Sequence, residues 1–151
     1  MRRLSDWGLQ VLTRLDVQLA STPLLPLEQI AMGGRYSVRG YRENQLVRDD
    51  GIIGSVEARV PVVRNTAWAD AVELASFVDA GTAWNTKIAT PDPRTLYSIG
   101  LGVRWALTLA SPLPLRSEFE FYWGVPLRNV KTPGGNLQDH GLHLEFVITG
   151  F

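Results

Sequence analysis

The chain contains no cysteine in its 151 residues. Disulfides and thiolate metal sites are therefore excluded. It carries no net charge either, with 15 Lys+Arg against 15 Asp+Glu. Proteins whose main partner is nucleic acid carry a basic excess, so that class is disfavoured. No run of 18 apolar residues occurs, which removes a transmembrane helix. The opening Met1-Arg2-Arg3-Leu4-Ser5-Asp6 lacks the apolar core of a secretory signal. Either the protein stays inside the cell or its true N-terminus lies upstream.

Catalytic and cofactor signals are also missing. Gly33-Gly34-Arg35 is not followed by Gly-Lys-Ser/Thr, so it is no phosphate loop. His140 and His143 are the two histidines, and no nearby residues complete a zinc set. Glu118 and Glu120 could form an acid pair, but a polar strand face explains them more simply. No nucleophile–base arrangement stands out. The sequence predicts no enzyme, no metal and no cofactor.

What the sequence does hold is alternation with period two, the signature of strands. Six segments show it, at about 8–20, 52–61, 71–81, 97–109, 115–125 and 141–149. In the second, Ile52, Val56, Ala58 and Val60 oppose Ser55, Glu57 and Arg59. In the third, Val72, Leu74, Val78 and Ala80 oppose Glu73, Phe77 and Asp79. In the fifth, Phe119, Phe121, Trp123 and Val125 oppose Glu118, Glu120 and Tyr122. One face of the six carries no charge, and the other carries nearly all of it. A soluble sheet with one wet face alternates in the same way, so a soluble β-sandwich binding module stays open here.

The connections separate these readings. They fall at about 21–51, 62–70, 82–96, 110–114 and 126–140, and so run long, short, long, short, long. Outer-membrane barrels have short turns on one side and long loops on the other. The segments also match the roughly 9–11 residues of a tilted spanning strand. Trp68, Trp84, Tyr97 and Trp123 lie near strand ends, where an aromatic girdle sits. Pro61 lacks an N–H and is expected to end its strand. Phe151 ends the chain out of phase with Leu144, Phe146 and Ile148, so a bulge or short tail is needed to restore the alternation.

The expected fold is all-β: an antiparallel transmembrane β-barrel segment of about six strands. Barrels in outer membranes start at about eight strands, and an open sheet edge in lipid leaves backbone groups unpaired. Residues 1–151 are therefore expected to form the C-terminal portion of a larger barrel.

Within the first long loop stands Gly33-Gly34-Arg35-Tyr36-Ser37-Val38-Arg39-Gly40-Tyr41-Arg42-Glu43. The core Val38-Arg39-Gly40-Tyr41 resembles the loop motif of the Omp85 superfamily of outer-membrane transporters. The longer string resembles its haemolysin secretion and activation branch, the translocators of two-partner secretion. Phe77-Val78-Asp79-Ala80-Gly81 resembles the inner-wall motif of the same superfamily, with Phe77, Asp79 and Gly81 at alternate positions. Gly54 to Pro61 resembles the strand that follows the motif loop.

The resemblance implies that the loop folds back into the barrel and that Arg39 pairs with Asp79. Alternation alone already places Asp79 on the polar, lumen-facing side, together with Glu57 and Arg59. An arginine fork suits a carboxylate, and Gly40 allows a tight turn or a close approach to the wall. The implied function is export of an unfolded exoprotein, a haemolysin or adhesin, through a bacterial cell outer membrane. The implied partners are that exoprotein, outer-membrane lipid and the barrel-assembly machinery. A second role within the superfamily is assembly of other outer-membrane proteins. The family's periplasmic domains and upstream strands are absent from the 151 residues.

Overall fold

The computed structural model of the chain describes residues 2–3, 8–109, 115–130 and 140–150. Among the described residues nine strands occur: β1 Arg2–Arg3, β2 Gln10–Gln18, β3 Ile30–Met32, β4 Leu46–Arg48, β5 Asp50–Thr66, β6 Ala69–Trp84, β7 Thr95–Leu109, β8 Leu115–Pro126 and β9 Leu142–Gly150. The six long ones match the six alternating segments of the sequence. Together with the two-residue β1 they form one seven-stranded antiparallel sheet in the order β1-β2-β5-β6-β7-β8-β9. Among the described residues no ladder joins β9 back to β1 or β2, so the sheet is open. The connection at 110–114 and the terminal Phe151 lie outside the described residues.

Two expectations need correction. The connection expected at 62–70 shrinks to Ala67 and Trp68, because β5 runs to Thr66 and β6 starts at Ala69. Nor does Pro61 end its strand. It pairs with Glu73, and Val63 then pairs with Val72, so Val62 forms a bulge and the ladder continues. Pairing with β2 stops at Arg59. Past that point β5 has one described neighbour, a setting in which a strand tolerates proline.

The outer face follows the alternation. Leu15, Val17, Val56, Val78, Leu101, Leu144, Phe146 and Ile148 are each at least half exposed. A sandwich would cover such a face with a second sheet; a barrel wall turns it toward lipid.

The inner face is not polar throughout. Toward the long loops it becomes apolar, and Ile53, Ala83 and Leu96 meet Met32, Val38, Tyr41 and Leu46 in a buried cluster. The last four belong to the first long loop, which folds inward instead of standing off the sheet. Its hairpin β3–β4 pairs Met32 with Leu46 and turns both into this cluster. Burying one such side chain contributes roughly 1.5–3 kcal/mol, so docking does not depend on polar contacts alone.

Candidate functional site

The docked loop brings its tip onto the polar stretch of the wall. Two glycines with φ of 108° and 94°, Gly33 and Gly34, turn the chain. Ser37 closes the turn, accepting from the Gly33 N–H at 2.8 Å and donating to the Gly33 carbonyl at 2.9 Å. The Arg35 N–H donates to Glu43 at 2.9 Å, across the neck of the tip. Val38 is fully buried, which fixes the direction in which Arg39 leaves the backbone.

Arg39 meets Asp79 side-on. Its Nε donates to Oδ2 at 2.8 Å and its Nη2 to Oδ1 at 2.9 Å. The Arg39 backbone N–H adds a third bond to Oδ2 at 3.0 Å. Ser55, directly across from Asp79 in the ladder, donates to Oδ1 at 2.6 Å. The remaining face of the guanidinium reaches Glu57, which also holds Arg59. Tyr122 OH donates to the same carboxylate at 3.3 Å. Asp79 is fully buried, and the side chains of Arg39 and Glu57 are 8% and 7% exposed.

Burial on this scale is tolerable because the charges balance. Arg39 and Arg59 offset Glu57 and Asp79, and each buried charge has an opposite neighbour. Breaking one partner of such a set leaves an uncompensated buried charge. The guanidinium carbon also lies 3.6 Å from the centroid of Phe77 and 5.0 Å from that of Tyr122. Those rings meet edge-on at 6.0 Å and shield the ion pair from water, which strengthens it.

Gly40 and Tyr41 extend the contact. With φ of 94°, Gly40 packs its backbone on that of Gly124, and a Cβ on Gly40 would stand 2.9 Å from the Gly124 carbonyl carbon. Its N–H donates to His143 Nε2 at 3.2 Å. Tyr41 OH lies 3.0 Å from the carbonyls of Tyr97 and Arg128, and accepts from the Arg128 N–H at 3.1 Å. Its single proton serves one carbonyl at a time. Gly81 sits under Met32, where a Cβ would come within 2.7 Å of the thioether methyl.

The sequence-expected residues thus gather in one place: Val38, Arg39, Gly40 and Tyr41 from the loop, and Glu57, Arg59, Phe77, Asp79 and Gly81 from β5 and β6. Further contributors carry weaker signals in the sequence. Gly124 was legible in principle, since a lumen-side glycine in a strand marks close approach of another backbone. His143 reads from the sequence only as a potential metal ligand. Ser55 is one of four serines in the described strands. Arg35 carried no signal beyond its place in the loop. Asp49 and Asp50 anchor the loop base: Asp49 accepts from Leu24, Gln29 and Thr86, and Asp50 from Ala20 and Thr86.

The Omp85 superfamily domain matches residues 3–146 of the chain. Among curated proteins, Outer envelope protein 80, chloroplastic, of Arabidopsis thaliana is 34% identical over 122 residues. That alignment covers 69% of this chain and 15% of the relative, so the chain spans a small part of that protein. No solved structure matches the chain.

Proposed function

Because the chain belongs to the Omp85 superfamily, we propose that it forms the C-terminal part of an outer-membrane barrel that exports an unfolded exoprotein by two-partner secretion. Transport or assembly of proteins at an outer membrane is the work of this superfamily. The finer reading rests on the motif string from Gly33 to Glu43. The observation that supports a role in transport is the loop latched inside the wall by Arg39, Asp79 and Glu57. A latch at that place holds a mobile element in the path of a passing chain, and it needs no nucleotide and no metal. The barrel belongs in a bacterial outer membrane, and its partners are the exoprotein, lipid and the machinery that inserts it.

The test is export from cells carrying the full-length protein with Asp79→Ala. Exoprotein in the medium should fall several-fold while barrel abundance in the membrane stays near normal. Unchanged export with a verified variant refutes the latch as part of transport.

Assembly of other outer-membrane proteins is the second reading. It is favoured by the relative's own name, which places that protein in an organellar outer envelope. Depleting the protein and quantifying unrelated barrels in the membrane separates the two. Loss of those barrels with export retained supports assembly.

A further inference from the structure

The loop carries a second arginine whose partners lie on the same inner face but on strands nearer the other edge of the sheet. Arg35 forms ion pairs with Glu120 on β8 and Glu145 on β9. These two carboxylates belong to residues directly opposite each other in the β8–β9 ladder. Like charges in that relation weaken strand pairing. Arg104 offsets part of the charge on Glu120, donating from Nε to Oε1 at 2.8 Å. Among the described residues, Glu145 meets loop groups alone: Arg35 and the Tyr36 hydroxyl, whose oxygen lies 3.2 and 3.3 Å from its two carboxylate oxygens. The Arg35 guanidinium also lies 5.2 Å from the Tyr36 ring centroid and 5.8 Å from that of Tyr122, which limits its freedom.

We propose that Arg35 is a positioning residue that couples the loop to the β8–β9 seam, by placing its cation between Glu120 and Glu145. The loop is then a strut with two feet. Arg39 stands on β5 and β6, and Arg35 stands on β8 and β9. Undocking the loop uncovers two facing carboxylates and weakens the pairing of β9, the last described strand. Loop position and seam strength become one equilibrium. The proposal rests on the latch reading above, because it requires the loop to leave and return.

The test uses the full-length protein in lipid nanodiscs, with amide hydrogen exchange read segment by segment. Arg35→Gln should raise exchange of the amides of β9 about tenfold, the effect of losing hydrogen bonds to charged groups. Exchange in β5 and β6 should not change. Adding Glu145→Gln to Arg35→Gln should return β9 most of the way to the native rate, because the facing charges are gone. An unchanged β9 in Arg35→Gln overturns the proposal. So does a double variant as exposed as the single one, which would mean that Arg35 acts by packing. If Arg35→Gln does not fold, Glu145→Gln alone decides. It should leave β9 within about threefold of native, since relief of repulsion offsets the lost bridge, and a tenfold rise overturns the idea. Exchange is read without export, so failure of the coupling and failure of the transport reading are distinguishable.

Discussion

Arg39 and Asp79 are joined by three hydrogen bonds, two from the guanidinium and one from the Arg39 backbone N–H. The backbone bond means that the loop main chain, and not only a long side chain, is fixed to the wall.

Removing either partner exposes the cost of the other. Asp79→Ala and Arg39→Ala should each destabilise the docked loop by about 3–5 kcal/mol, because a buried charge loses its complement. The double variant should lose clearly less than the sum. Denaturant unfolding of all three measures this, and simple addition of the two single effects contradicts the pairing. Arg39→Lys keeps the charge but loses the fork, and should fall between native and Arg39→Ala.

Gly40→Ala tests the close approach to β8. A side chain there requires both an unfavourable φ and movement of the Gly124 backbone. The expected loss is about 1–3 kcal/mol. Protease protection of the loop should fall in parallel. Gly124→Ala should act in the same direction, since its Cβ would stand 2.6 Å from the Gly40 nitrogen.

Acid should loosen the loop base through Asp49. Hydrogen bonds from the Gln29 amide, then from the Leu24 and Thr86 N–H groups, hold its carboxyl below the usual range. A depressed folded-state pKa stabilises above the unfolded value, about 3.9. That stabilisation disappears as pH falls below it through the lower folded value. Protection of the Leu24 and Thr86 amides, relative to their intrinsic exchange rates at each pH, should therefore fall in that window and stay flat from about pH 5 to 7. In Asp49→Asn this acid-dependent component should vanish.

Tyr41→Phe removes one hydroxyl at the outer end of the loop. The expected cost is about 0.5–1.5 kcal/mol. Faster exchange should be confined to the segment 127–130 and the start of β7, where its partners lie. Loosening of β5 would contradict this assignment of Tyr41.

Much of this arrangement is legible in the sequence. Alternation identified the six strands and put Phe77, Asp79, Glu57 and Arg59 on one face, because period two has only two answers per strand. Strand ends were less legible. Pro61 looked terminal because its missing N–H matters only if a partner needs it, and the sequence does not show which side of β5 is open. The β3–β4 hairpin was invisible, since three-residue strands lie below the length at which alternation is a pattern. Arg35 could not be ranked above other loop arginines, because its importance comes from Glu120 and Glu145 facing each other, a matter of register rather than of sequence. The apolar end of the inner wall was hidden for a related reason. Ile53 and Leu96 need the loop to lie over them before their burial makes sense.

The length of the β5–β6 hairpin has a mechanical consequence. Its strands have 17 and 16 residues, roughly 50 Å of extended chain at about 3.3 Å per residue. Even tilted by about 40°, that exceeds the apolar band of about 25 Å in such barrels. Part of the surplus is the stretch of β5 beyond Arg59, where pairing with β2 has stopped and a two-residue turn closes the hairpin. At the other end of the hairpin, Thr86 donates to Asp49 and Asp50 and so ties the base of the loop to the wall. The loop is therefore fastened to one long hairpin twice, at its base by Asp49 and Asp50 and at its tip by Arg39. A pull on the tip is resisted at both places.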